Sequence, residues 1–523
     1  EISVIPQPSS MKVGTGEFVI TKDTTIRVAN ELAKPIGELL AKQLAPATGW
    51  ALKVEVGEAA DGAISIAATK ATPLDEVNRK DETYTLSVTP KRITISATMT
   101  AGAFYGTQTL RQLLPTKIFS PTKVADVKWT VPAVEISDSP RFGWRGIMLD
   151  SSRHFQNTDM IKRYIDHLAT HKLNVFHWHL VDSHGWRIEI KKYPRLCTFG
   201  GFRKQPPIGR HGGYYTQKEI REIVKYASDR FVTVVPEIEM PGHSRAATAA
   251  YPHLACQNNG KEVGYFFGYP CPAKRFPKMK GSNEFCAGKE TTFEFLENVL
   301  LEIFELFPSK YIHVGGDEVN SSHWASCPDC LKRCEKLGLK KGRLQSYFMQ
   351  RMDTFVNKHG RKMIGWGEIL SGGLASNAAV MSWRSTKAGI ESAKMGHEVV
   401  MTPQKPFYFD HGQGGKGQPK YWPGCETLEE VYRYDPIPAE LTPKQAKFIL
   451  GIQGNVWSAF IHTDEVVDCQ TWHRAVALAE TAWTAQKAKD WDAFQPRLKT
   501  HLLRLDELNI SHFFPAQTPK GER

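Results

Sequence analysis

From Arg141 onward, short apolar runs alternate with longer stretches in which apolar residues return every three or four positions. Runs of that length predict buried strands, and the longer spacing predicts amphipathic helices. The predicted strands are Gly146–Leu149, Val175–Leu180, Val232–Pro236, Tyr311–Val314, Lys362–Trp366, Val380–Trp383, Val399–Thr402 and Gly451–Trp457. The predicted helices between and after them include Met160–His171, Gln217–Arg230, Thr291–Phe307, Arg343–His359 and Thr471–Ala482. Eight strands interleaved with helices predict an α/β fold, a (β/α)8 TIM barrel. The competing open doubly wound sheet normally carries a glycine-rich phosphate turn after its first strand, and none follows Leu149.

Residues 1–138 have another rhythm: β-type runs such as Phe18-Val19-Ile20 and Ile93-Thr94-Ile95 accompany helical pieces at Ile36–Leu44 and Ala103–Leu114. This predicts a small α+β N-terminal domain preceding the barrel, with a boundary in the extended, proline-bearing stretch from Val131-Pro132 to Ser139-Pro140. The barrel is expected over 139–490, and the tail, 491–523, as a closing helical segment packed on the barrel.

Length and composition agree with two domains: the chain has 523 residues, 41% hydrophobic and 23% charged, as a well-packed globular protein does. The net charge of +12 is spread among acids rather than gathered on one run, which argues against a nucleic-acid partner. No stretch reaches the roughly 20 apolar residues of a membrane span. The start at Glu1 and the nine cysteines raise the expectation of a secreted or periplasmic protein with its signal peptide removed. Cys327, Cys330 and Cys334, and the group Cys256, Cys271 and Cys286, are candidates for disulfides. A zinc site at Cys327, Cys330 and Cys334 lacks a second ligand pair at finger-like spacing, so neither a metal nor a cofactor is expected.

The chemistry gathers at the strand ends, which are polar or aromatic: Asp150, Asp182, Glu237, Asp317-Glu318, Trp366, Trp383 and Trp457. In a TIM barrel these C-terminal ends build the active site. Most informative is Tyr311-Ile312-His313-Val314-Gly315-Gly316-Asp317-Glu318-Val319, an apolar strand that breaks at two glycines and delivers adjacent carboxylates. Adjacent strand residues point to opposite faces, so both acids reach one pocket only where the backbone becomes irregular, as Gly315-Gly316 allows. Two close carboxylates repel, so their surroundings must hold one ionised and leave the other protonatable. Acids, an arginine, histidines and tryptophans together suit cleavage of a glycosidic bond, which needs a proton donor and a group that stabilises an oxocarbenium-like centre.

His-Val-Gly-Gly-Asp-Glu-Val at 313–319 resembles the catalytic motif of glycoside hydrolase family 20, the β-N-acetylhexosaminidases. Arg145-Gly146-Ile147-Met148-Leu149-Asp150 with Ser152-Arg153-His154-Phe155 is similar to the family's first barrel strand, and His177-Trp178-His179-Leu180 with Gly185-Trp186-Arg187 to its second. Val235-Pro236-Glu237-Ile238 with Pro241-Gly242-His243 is similar to the third. The resemblance implies an exo-acting, retaining enzyme that removes terminal β-linked GlcNAc or GalNAc from glycans with the help of the substrate's own acetamide. It assigns Glu318 as general acid and base, Asp317 as the group that orients the acetamide, and Tyr408 as the donor to its carbonyl. His243 with Asp182 would tune Glu318. Arg153 and Asp410 would bind sugar hydroxyls, and Trp366, Trp383 and Trp457 would wall the pocket.

The family pattern has a Glu two residues after the tryptophan at 457, where this chain has Ala459, and a second Asp where it has Ser183. Two further readings therefore stand beside the first: a family variant that releases a disaccharide or a 6-substituted GlcNAc, and a sugar-binding barrel without catalysis. For His177 and His179, packing and hydrogen bonding are expected rather than metal ligation.

Overall fold

The structure, a computed structural model, describes residues 2–77, 81–205, 209–257, 262–264, 283–340 and 342–513. The alternating segments of the N-terminal part form a seven-stranded mixed sheet in the spatial order Ser10–Val19, Thr130–Asp138, Tyr84–Val88, Ile93–Met99, Ala63–Lys70, Thr25–Val28 and Val54–Val56. Helices Lys34–Thr48 and Thr100–Leu113 pack on this sheet. The second of these is buried at every residue, because it lies between sheet and barrel.

The proline-bearing stretch is, up to Asp138, a strand of the sheet domain: Thr130–Asp138 pairs with both Ser10–Val19 and Tyr84–Val88, and the first barrel strand begins at Trp144. Charged groups seal this junction. Arg145 donates to Glu82 at 2.6 Å with both side chains fully buried, and Lys172 reaches Asp138 at 3.1 Å. Trp483, from the last barrel helix, also donates to Asp138 at 2.9 Å. Breaking such a buried pair on one side leaves a naked charge and costs about 3–5 kcal/mol.

All eight expected strands are present. In chain order they are Trp144–Asp150, Val175–His179, Thr233–Met240, Tyr311–Gly315, Lys362–Trp366, Ala379–Ser382, Val399–Met401 and Ile449–Val456, and they close into a parallel barrel. Closure is made by the eighth strand on the first, with Gly454 opposite Ile147. Helices Thr158–Thr170, Gln217–Ser228, Glu290–Leu306, Leu344–Lys358 and Asp464–Trp483 cover the barrel, each near its expected position. Thr216 caps one of them through a reciprocal bond with Glu219, the capping box its sequence encodes.

The final helix, Trp491–Glu507, packs on both domains. Arg497 pairs with Glu480 of the barrel at 2.6 Å, while Arg504 donates to the backbone carbonyls of Ser3 and Gln112. Among the described residues, no helix is long and apolar enough to cross a membrane.

Candidate active site

At the C-terminal end of the barrel lies a cavity of about 290 Å³, lined by Asp150, Arg153, His184, His243, Asp317, Glu318, Trp383, Gln404, Tyr408, Asp410, His411, Trp422, Trp457 and Ala459. Eight of the ten residues proposed from sequence line it directly. Asp182 and Trp366 sit behind the wall, at 2% and 1% exposure, and act on the lining residues rather than on the cavity itself.

The break after the fourth strand takes the form its glycines allow. Gly315 and Gly316 have φ of 68° and 93°, and Glu318 adopts a positive φ of 48° although it carries a side chain. A left-handed Glu is strained, and such strain concentrates where function fixes a side chain's direction. Here it turns Glu318 outward, its side chain 50% exposed, while Asp317 points inward at 13%. His243 shares the same unusual φ of 48° on the loop after the third strand.

That loop approaches closely because Gly242 has no side chain: a Cβ there would lie 3.0 Å from the Asp317 carbonyl oxygen. His243 thereby reaches both acids. Its Nε2 lies 3.5 Å from Asp317 Oδ2 and 3.5 Å from Glu318 Oε2, and its Nδ1 is 3.5 Å from Asp182 Oδ1. Burial alone would lower the imidazole, but the carboxylates of Asp182 and Asp317 hold it well above the usual histidine range.

The two acids are driven in opposite directions. Burial pushes Asp317 up, against the pull of His243. The hydrogen bond from His243 holds Glu318 below the ordinary glutamate range, with Arg384, at 3.6 Å, adding to the effect.

Beneath Asp317 lies an acid that the motifs did not reveal. Glu239, on the third strand, is buried, and burial together with the Asp317 charge pushes its carboxyl well up. It shares a hydrogen bond with Asp317 and accepts one from the Gly316 N–H at 3.1 Å. A side chain on Gly315 would collide with it, since a Cβ there falls 1.7 Å from Glu239 Oε1. Glu239 is therefore a positioning residue for Asp317. Glu239→Gln preserves one acceptor and one donor and should keep most of the turnover. Glu239→Leu removes both bonds and should reduce kcat by about 5–150-fold, from roughly 1–3 kcal/mol. Steady-state kinetics on both variants check this, and equal losses would show that the bonds Gln retains do not position Asp317.

Asp182 organises the opposite wall. It receives Arg153 Nη2 at 2.6 Å and lies 3.2 Å from His179 Nε2. Arg153 is also held by Asp150 at 3.3 Å and lies over the Trp457 ring, 4.9 Å from its centroid. Asp150, at the end of the first strand, further accepts the backbone N–H groups of Ser152, Arg153 and Ser458, which ties the loops after the first and eighth strands together. Under the floor, Glu237 collects His177 at 3.0 Å, His313 at 3.0 Å, the Trp366 indole at 2.8 Å and His179. Burial opposes its ionisation, but the three imidazoles hold it well below the usual range. The His-x-His spacing of the second strand thus aims both rings at one carboxylate, and Trp366 is fixed beneath Trp457, with ring centroids 5.8 Å apart.

Tyr408 reaches the cavity from the segment after the seventh strand, where its backbone bridges to Asn455. Burial, with Asp410 and Asp317 nearby, pushes its hydroxyl well above the ordinary value, so it remains a donor. Its ring stacks on Trp383 at 5.9 Å and 11°. Burial pushes Asp410 up to about 7. Asp317 Oδ1 and Asp410 Oδ1 are both buried without a hydrogen-bond partner, which leaves an acceptor for a ligand from each of these two lining residues.

The chain as a whole is similar to known proteins. The catalytic-domain model of glycosyl hydrolase family 20 matches residues 142–486, and the model of that family's domain 2 matches residues 1–139. The chain belongs to glycosyl hydrolase family 20. A β-hexosaminidase of Porphyromonas gingivalis is 43% identical over 99% of this chain, which spans 65% of that relative's length. One from Vibrio furnissii is 33% identical, covering 91% of this chain and 76% of its own. Among solved family 20 structures, the β-N-acetylhexosaminidase of Streptomyces coelicolor A3(2) superposes with a TM-score of 0.83 at 32% identity, over 99% of this chain and 98% of that one. A mutant Streptomyces plicatus β-hexosaminidase in complex with its product GlcNAc gives 0.84 at 32% identity, over 99% and 97%. Both parts of this chain, the sheet domain and the barrel, thus fall within family 20.

Proposed function

We propose that the chain is an exo-acting, retaining β-N-acetylhexosaminidase that releases terminal β-linked GlcNAc or GalNAc by substrate-assisted catalysis. The observation that carries the reading is the division of labour between neighbouring acids: Asp317 inward, buried and backed by Glu239, and Glu318 outward on a strained turn. Such a pair suits a reaction in which one carboxylate holds the substrate's internal nucleophile and the other handles the proton.

In the forward step the acetamide carbonyl oxygen attacks the anomeric carbon as the glycosidic C–O bond breaks. Glu318 gives its proton to the leaving oxygen, and the sugar becomes an oxazolinium ion. Asp317 accepts the acetamide N–H, and its charge offsets the positive charge growing on that nitrogen. Tyr408 donates to the carbonyl oxygen and aligns it for attack. Glu318, now a carboxylate, takes a proton from water, which adds to the anomeric carbon and opens the ring with retention. Sugar in the cavity also strips water from Glu318 and so pushes its carboxyl up to where it holds a proton.

The decisive experiment is a panel of aryl β-glycosides of GlcNAc, GalNAc, 6-sulfo-GlcNAc and lacto-N-biose, tested on wild type and Glu318→Gln. Release from the N-acetylated substrates by the wild type is expected, slowed in the variant by a factor that grows as the leaving phenol becomes less acidic. Binding of these sugars without release from any of them would instead mark a non-catalytic barrel.

Ala459 lines the same cavity as Asp410, His411 and Trp422. Its methyl group, where the family pattern has a glutamate, favours the second reading, in which a 6-substituent or a further sugar is accepted. Ala459→Glu should restore a charged hydrogen bond to the terminal sugar and lower KM for plain aryl β-GlcNAc by about tenfold or more. An unchanged KM would show that Asp410 alone serves those hydroxyls.

A further inference from the structure

Beside the active site, four sulfur atoms from three separate segments converge. Cys256 follows the turn Pro252–Leu254, Cys286 precedes helix Glu290–Leu306, and Cys327 and Cys330 stand at the start of helix Pro328–Leu337. Cys286 Sγ lies 3.7 Å from Cys327 Sγ and 3.6 Å from Cys330 Sγ, and Cys256 Sγ lies 3.6 Å from Cys330 Sγ. All four atoms lie within 4.8 Å of one another. Bonded disulfide sulfurs are only about 2.05 Å apart. Four thiolates placed tetrahedrally at about 2.3 Å from zinc have edges of about 3.8 Å, close to the spacing seen here.

The cage is set by backbone that needs no sulfur contact to hold it. Gly288, two residues after Cys286, abuts the other segment so tightly that a Cβ would lie 2.2 Å from both Asp329 C and Cys330 N. The Cys286 N–H donates to the Leu254 carbonyl at 2.7 Å, and the Trp324 indole donates to the Phe285 carbonyl at 2.9 Å. Cys327 caps its helix and Cys330 lies in the first turn, where the positive end of the helix dipole favours thiolate. Lys289 donates to the Ala255 carbonyl at 2.7 Å and Arg333 to the Gly288 carbonyl at 3.0 Å, which places two cations around a centre that would carry net negative charge.

We propose that Cys256, Cys286, Cys327 and Cys330 bind one zinc ion in a closed tetrathiolate site of structural role. Each thiol loses its proton to solvent as its sulfur ligates, so one Zn²⁺ replaces four protons. The site joins the loops that carry the catalytic groups. Asn283, near Cys286, accepts the backbone N–H of Ser244, next to His243, at 2.7 Å, and the Phe285 N–H donates to the Pro241 carbonyl at 2.9 Å. The Cys327–Cys330 pair lies on the chain just after Glu318. The second ligand pair absent at finger-like spacing is supplied by the fold from upstream, and Cys334, grouped with Cys327 and Cys330 by sequence, lies outside the cluster. Cys271 lies outside the described residues.

The test is elemental analysis and zinc-edge X-ray absorption on the full chain, purified without a histidine tag under reducing conditions. One zinc per chain, surrounded by four sulfurs at about 2.3 Å, is expected. Zinc content should fall at least tenfold in Cys286→Ser and Cys330→Ser and be retained in Cys334→Ser. A sulfur-free zinc shell, iron in place of zinc, two disulfides among the four cysteines, or less than a tenth of an equivalent of metal after incubation with zinc chloride would each overturn the assignment. The absorption spectrum of the wild type decides the matter even where a serine variant fails to fold.

Discussion

Glu318→Gln lowers turnover of an alkyl β-glycoside of GlcNAc by about 10²–10⁴-fold, the usual contribution of a positioned acid. The loss should be much smaller on an aryl glycoside with an acidic phenol, because that leaving oxygen needs little protonation. Gln keeps the size and the left-handed backbone of position 318, so folding is unaffected and the dependence on the leaving group isolates the proton. The same residue predicts a separation between two pH profiles. An acid must be protonated to act, so activity fades as pH rises through its pKa. In the free protein the hydrogen bond from His243 holds Glu318 low, whereas bound sugar removes its solvent and pushes it up. The alkaline limb of kcat should therefore lie at higher pH than that of kcat/KM, since the two report the complex and the free enzyme respectively. Coincident limbs, together with equal losses on alkyl and aryl substrates, would remove Glu318 from the proton-transfer step.

Much of this site was legible before any geometry. Gly315-Gly316 ahead of two acids forecast an irregular strand end, and both glycines do adopt positive φ there. The eight strands were readable because a parallel barrel strand is buried on both faces and so appears as an unbroken apolar run. Residues whose work is indirect were less visible. Glu239 follows Glu237 by two positions on the same strand, and nothing in the local pattern says that histidines push one carboxyl down while burial beside Asp317 pushes the other up. That difference depends on neighbours brought in by the second and fourth strands. The sulfur cluster was hidden for the same reason: Cys256 and Cys330 are 74 residues apart in the chain, and the segment of Cys286 joins theirs, through the Leu254 carbonyl on one side and the packing of Gly288 on Asp329 and Cys330 on the other. The proline-bearing run from Val131 marked a boundary without showing that it is itself a strand. Pro132 lies in a strand, opposite Glu17 and next to a register shift between Val13 and Glu17, where loss of one N–H donor is tolerated.

Asp317→Asn should cost about 10²–10³ in kcat, the scale of a lost preorganised electrostatic partner, while leaving KM for aryl β-GlcNAc within a few-fold of wild type. The reasoning turns on what Asn retains. Its carbonyl still accepts the acetamide N–H, and Glu239 can still share a hydrogen bond with it, so ground-state binding survives. What disappears is negative charge, and charge matters only once the acetamide nitrogen becomes positive on the way to the oxazolinium ion. Affinity for a thiazoline mimic of that ion should therefore weaken in proportion to kcat, as expected for a ligand that resembles the transition state. The substitution also removes one of the two carboxylates that raise His243, so the imidazole should lose its proton at lower pH than in wild type, a change that histidine NMR would detect. If thiazoline binding stayed at the wild-type level while turnover fell, the Asp317 charge would act on some step other than acetamide attack, and the internal nucleophile would have to be abandoned for this chain.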